Sequence, residues 1–115
     1  MAATAASPAV QMRYATARRA FASDAEMAQA LGVNRSQITR WKQGVVPDRE
    51  NAERLLAFDV VVSLLDGFLE RESIPKWLRG TNAHLANRRP IDVLLEGRLS
   101  QVIAAIEAEK SGAFA

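Results

Sequence analysis

The chain has 115 residues, a net charge of +2, 49% hydrophobic and 24% charged residues, and no cysteine. That is the composition of one soluble globular domain or two small ones, and it excludes a disulfide framework and a thiolate metal site. The opening Met-Ala-Ala-Thr-Ala-Ala-Ser-Pro lacks the basic start and apolar run of a secretory signal, and no stretch approaches the roughly 20 apolar residues of a membrane span, so a cytoplasmic protein with no membrane partner is expected.

Ser7 and Pro8 suit the cap and first position of an opening helix, along which Val10, Tyr14, Ala17 and Phe21 recur at helical spacing. Its Arg13, Arg18 and Arg19 are either phosphate contacts or an ordinary solvated basic face. Residues 23–44 then read as two short helices joined by a tight turn. Ser23 caps the first, with Glu26 in the capping-box position, and Gly32 supplies the stop. Asn34 caps the second, with Gln37 three residues on, and Gly44 ends it. Met27, Ala28 and Leu31 share one buried face, Ile38 and Trp41 another, and the small Ala28 lets the two helices approach.

This is the helix-turn-helix pattern, whose second helix lies in the major groove of DNA. Asn34, Arg35, Ser36, Gln37, Thr39, Arg40 and Lys42 are the candidate DNA-binding residues, since each can meet phosphates or base edges. No acid lies between Asn34 and Val46. A plain helical hairpin would need the caps and apolar positions but not an acid-free outer face.

Pro47 breaks the chain, and Asp48 caps a long helix expected from Arg49 to about Glu72, with Glu50 and Glu53 near its positive end. Its apolar residues, from Leu55 and Leu56 to Phe68 and Leu69, cover most of the circumference, so it must be buried on several sides. Another chain is the favoured cover for one of those sides. The alternative is a central helix buried by its own C-terminal segments. Ser73-Ile74-Pro75 is the expected stop.

A compact, turn-rich stretch follows. Trp77 and Leu78 lie on a short helix ended by Gly80, Asn82 caps a turn that includes Leu85, and Pro90 opens a helix through Leu94 and Leu95 to Gly97. Arg88 and Asp92, four apart, are a candidate ion pair. The last helix begins near Leu99, with Val102, Ile103 and Ile106 on its apolar face. No strand pattern competes, so the expected class is all-α. Residues 1–47 form the helix-turn-helix region, 48–74 the connecting or oligomerisation helix, and 75–115 the C-terminal unit and tail. Residues 1–49 carry seven basic and three acidic side chains, and residues 50–115 eight basic and ten acidic, so the positive charge sits with the helix-turn-helix.

The run from Trp77 to Gly97 has a Trp-Leu start, an Asn-to-Leu turn, a Pro followed by paired leucines, and a Gly before an amphipathic helix. It resembles the C-terminal signature of the Xre/MbcA/ParS antitoxins, and with the helix-turn-helix the resemblance spans about residues 10–110. The residues that match are Trp77, Leu78, Asn82, Leu85, Pro90, Leu94, Leu95 and Gly97. The resemblance implies a type II antitoxin that binds and occludes a RES-domain, NAD⁺-degrading toxin and represses its own operon. It implies no enzyme activity and no cofactor here, because the chemistry belongs to the toxin. Trp77, Leu78, Arg79, Arg88, Arg89, Lys110 and Phe114 are the candidate toxin-binding residues, Phe114 as an anchor for the toxin cleft. Operator double-stranded DNA and a second copy of the chain, as a homodimer or within a larger toxin–antitoxin assembly, are the other expected partners.

Three rivals are weighed against this. An enzyme would have to use His84, the only histidine, or the Asp92/Glu96 pair; one histidine cannot build a common zinc site, and no phosphate-binding glycine loop is present. A stand-alone dimeric helix-turn-helix repressor accounts for residues 8–72 but not for residues 75–110. Single-stranded RNA binding lacks aromatic platforms, since Trp41 and Trp77 occupy apolar positions.

Overall fold

A computed structural model describes residues 5–112, which fold into seven α-helices and one 3₁₀ turn. The first three helices are α1, Pro8–Arg18; α2, Asp24–Leu31; and α3, Arg35–Lys42. Local chemistry sets their ends. Ser7 Oγ accepts from Val10 N at 3.3 Å, Ser23 Oγ from Glu26 N at 3.0 Å, and Gln37 Oε1 from Asn34 N at 2.9 Å. The Glu26 carboxylate reaches one residue further back than a capping box requires, accepting from Ala22 N at 2.9 Å. Gly32 (φ 68°) and Gly44 (φ 92°) adopt the left-handed backbone that ends each helix. Gly44 also receives the chain start: Ser7 N donates to Gly44 O at 2.9 Å, and a Cβ on Gly44 would stand 2.8 Å from Ser7 N.

Helix α4, Arg49–Asp66, is the central beam. Asp48 caps it, its carboxylate accepting from the Asn51 side chain at 2.7 Å. Leu55, Phe58, Val61, Val62 and Leu65 are essentially inaccessible, and Phe58 meets Phe21 with ring centroids 5.1 Å apart. Helix α1 covers one side of α4. The other side is covered by α5, Ser73–Arg79, by α6, Pro90–Leu95, and by α7, Leu99–Gly112. The 3₁₀ turn Ala83–Leu85 joins α5 to α6 and packs on α7.

Two sequence expectations are corrected here. The long helix stops at Asp66, not near Glu72. Gly67 gives the helix little support, and Phe68 and Leu69 turn back to bond Leu65 O. Ser73-Ile74-Pro75 starts a helix instead of ending one, because first-turn N–H groups have no intrahelical partner and Pro75 forfeits nothing there. The second correction concerns the cover of α4. Helix α1 on one side and the C-terminal segments on the other bury most of it, leaving Leu56 43% exposed and Val60 and Leu64 half-buried. A second chain is not needed to hide the bulk of that surface.

Candidate functional site

Helix α3 presents the candidate nucleic-acid surface. Ile38 and Trp41, 1% and 3% exposed, key one face into the core. The opposite face exposes Asn34, Arg35, Ser36, Thr39, Arg40 and Lys42, with Gln37 half-buried. Two of these side chains already have internal work: Gln37 closes the cap, and Thr39 Oγ1 donates to Arg35 O at 3.1 Å. Lys42 Nζ lies 3.7 Å from Asp24 but keeps most of its surface in water. Among the described residues, Arg35 and Arg40 make no ion pair within the chain. Of the three cations of α3 they are the two with no acid partner, and so are open to an outside polyanion.

The arginines of α1 are different, although sequence alone left them open as phosphate contacts. Arg18 Nε donates to Asp24 at 2.9 Å and its Nη1 to Phe21 O at 2.7 Å. Arg19 pairs with Asp66 at 2.5 Å, and Arg13 lies 3.7 Å from Asp59. Their charge is spent on holding α1 to α2 and α4. Asp24 is the hub of this corner. The Tyr14 hydroxyl hydrogen-bonds it, as do Arg18 and, at longer range, Lys42, and together they hold its carboxyl below the usual range. Burial and the same carboxylate push the Tyr14 phenol up to about 12.

In the C-terminal half, few of the candidate partner-binding side chains are idle. Leu78 has no exposed surface, so it acts on any partner only through the shape of the domain. Arg79 is a staple: its Nη1 donates to Ala20 O at 2.9 Å and Pro75 O at 3.2 Å, its Nη2 pairs with Glu26, and its guanidinium sits 5.7 Å from the Phe21 ring centroid. One side chain of α5 thus ties the C-terminal unit to the helix-turn-helix. The Arg88–Asp92 pair expected from sequence is replaced. Arg89 takes Asp92 in a two-pronged contact at 2.8 and 2.9 Å, while Arg88 reaches Glu96 at 3.3 Å and Gln101 at 3.1 Å. Three residues of separation suit Arg89 at the helix start, and Arg88 sits too far outside α6 to face Asp92. The Arg89 guanidinium lowers the Asp92 carboxyl and is itself raised by it. Arg89 stays half-exposed, Trp77 and Lys110 are partly exposed, and Phe114 lies outside the described residues.

Sequence reasoning passed over Glu26 as a partner of Arg79, and Glu109 altogether. Glu109 accepts from both Trp77 and Asn82, residues too distant in the chain for any local pattern to pair them. His84 is exposed, and Asp92 and Glu96 are each held by arginines. Among the described residues no group of three or more His, Cys, Asp or Glu side chains is placed to hold a metal, and no helix is long and apolar enough to cross a membrane.

The described residues thus form a helix-turn-helix unit locked through one central helix to a small turn-rich helical block. No protein-family model matches the chain. It is, however, 31% identical over 90 residues to the mycobacterial cidal antitoxin MbcA of Mycobacterium tuberculosis and of Mycobacterium bovis, over 77% of this chain and 80% of MbcA. It is 28% identical over 89 residues to a probable mycobacterial cidal antitoxin of M. tuberculosis, over 77% and 76% of the two chains. Its fold matches a chain in the crystal structure of the M. tuberculosis MbcT–MbcA toxin–antitoxin complex with a TM-score of 0.78 at 27% identity, over 94% of this chain and 98% of that one. The chain belongs to the MbcA family of antitoxins.

Proposed function

We propose that this antitoxin binds and occludes a RES-domain, NAD⁺-degrading toxin through residues 75–115, and that it represses its own operon through α3. The carrying observation for the first role is that nearly the whole fold, C-terminal block included, superimposes on a chain of a toxin–antitoxin complex. For the second role the support is the solvent face of α3, where Arg35 and Arg40 are exposed and make no ion pair among the described residues. A two-fold pair of chains would present two such helices to half-sites about one helical turn apart, or a multiple of that. The chain itself contributes shape and charge and performs no chemistry; the reaction it stops is the toxin's.

Co-expression with the protein encoded beside it tests the first role. Rescue of growth and co-purification of the two proteins are expected. If the neighbour is harmless or the two do not co-purify, the toxin assignment is wrong and a stand-alone dimeric repressor becomes the better reading. An electrophoretic shift on the chain's own promoter at fixed salt tests the second role, with loss of the shift expected for Arg40→Ala.

A further inference from the structure

Helix α4 keeps one uncovered ridge. Arg49, Glu53, Leu56, Val60 and Ser63 follow one another at alternating four- and three-residue steps, which keeps them on one side of the helix. Val60 is half-buried and the other four are exposed. Leu56 and Val60 make the middle of the ridge apolar, and its flanks continue that character. Arg13 lies against Asp59, and Arg19, just past α1, against Asp66, so α1 runs beside α4 in the same direction. Met12 is thereby carried level with the stretch from Leu56 to Val60, and at 72% exposed it is the most exposed large apolar side chain of the described residues. On the other flank, Leu56 shares a groove with Leu95 and Leu99, both partly exposed. Lone apolar residues on a surface are ordinary, but a band of them across α1, α4, α6 and α7 is the pattern of a surface that another chain covers.

We propose that this band is where a second copy of the chain pairs, α4 against α4 in antiparallel orientation, with the two-fold axis between Leu56 and Val60. A two-fold contact must be complementary to itself, and the charges on the ridge choose the direction. A parallel copy would set Arg49 on Arg49 and Glu53 on Glu53. An antiparallel copy sets Leu56 on Val60, Glu53 on the neutral Ser63, and Arg49 on Gly67 beside Asp66. Arg49 is free for that role: its side chain is 93% exposed, and its ion pair with Glu53 is a loose 3.4 Å. Asp66 keeps half of its surface in water although Arg19 holds it. Gly67 has no side chain to block the approach, and the nearest atom a Cβ there would meet is Leu64 O at 3.8 Å. The pairing deepens the operator-binding reading, which rests on a two-fold pair of α3 helices, and the ridge uses no residue of α3.

Sedimentation of the antitoxin alone, without toxin or DNA, tests the pairing. The wild-type chain should run as a dimer at micromolar concentration. Leu56→Glu should weaken the dimer at least about tenfold, because it sets an unpaired charge beside the dyad. Arg49→Glu should weaken it about threefold, by facing Asp66 with a like charge. Both positions are exposed, so each variant should keep the wild-type circular dichroism, and Arg49→Glu carries the test should Leu56→Glu unfold. The chain has no cysteine, so introduced thiols report the direction of pairing. Under oxidation, Glu53→Cys chains mixed with Ser63→Cys chains should crosslink one to the other, and neither variant should crosslink to itself. A wild-type monomer overturns the inference, as does a dimer that neither Leu56→Glu nor Arg49→Glu weakens. Crosslinking of Glu53→Cys or Ser63→Cys to itself in preference to the mixture makes the pair parallel and also overturns it. So does a dimer that crosslinks in neither way, since it uses another surface. A dimer that meets these expectations but gives no shift on its own promoter overturns the operator reading alone.

Discussion

Two sets of arginines divide the molecule. On α3, Arg35 and Arg40 project into water with no acid of the described chain beside them. On α1 and α5 and in the segments that follow α1 and precede α6, Arg18, Arg19, Arg79, Arg88 and Arg89 are each bound to a carboxylate, and several also to backbone carbonyls. Identical side chains therefore do opposite work. A net charge near zero hides this, because the acids neutralise the arginines of the scaffold and leave those of the candidate DNA surface free. The contrast separates cations whose loss should weaken the fold from cations whose loss should weaken only binding.

Substitutions can break or sharpen that division. The largest effect should come from the apolar floor beneath the bound set. Leu78→Ala empties a fully buried position and should cost about 2–5 kcal/mol in denaturant unfolding. Arg79→Ala comes next, at about 1–2 kcal/mol, since it strips hydrogen bonds from Ala20 O and Glu26 and unties α5 from the helix-turn-helix. Arg40→Ala should behave in the opposite way. Its unfolding curve should shift by less than about 0.5 kcal/mol, while operator affinity in a gel shift falls by about 1–3 kcal/mol if it reads a base. A stability loss for Arg40→Ala as large as that for Arg79→Ala would erase the distinction.

The smallest effect is electrostatic and depends on pH. Asp24 is depressed in the fold by Tyr14 and Arg18, so its contribution is complete above the unfolded carboxyl value and is lost as pH falls through the lower folded value. Tyr14 is raised, so its contribution is complete below about pH 10, the unfolded phenol value, and is lost as pH climbs toward about 12. Unfolding should therefore become easier at both extremes, and Tyr14→Phe should blunt both arms. An unchanged pH profile in Tyr14→Phe would deny this corner any part in stability.

Glycine positions sharpen the comparison at the backbone level. Gly32 and Gly44 both hold positive φ, but only Gly44 lies against another segment. A side chain there would push on Ser7 N and displace the start of α1, whereas at Gly32 it would meet open space. Gly44→Ala should thus be the more damaging of the two in thermal unfolding.

Helices α1 to α3 were legible because their signals are local. Ser7, Ser23, Asn34, Gly32 and Gly44 act within four residues of themselves, and Ile38 and Trp41 fall one helical turn apart. The end of α4 was not legible, because its apolar run continues past Asp66 to Phe68 and Leu69. The reach of the arginines was no more visible. Arg79 meets Ala20 and Glu26 across 59 and 53 residues, and Glu109 meets Trp77 across 32.

The amino-acid sequence alone determined an all-α chain, a capped helix-turn-helix with a cationic outer face, and a motif order that marks the antitoxin family. Tertiary structure decided which arginines are free, which flank of α4 is covered, and how α7 is anchored at its end. The reason is physical. Caps, turns and periodicity are set by neighbours along the chain, whereas the availability of a charge depends on which distant carboxylate the fold carries to within hydrogen-bond reach of it.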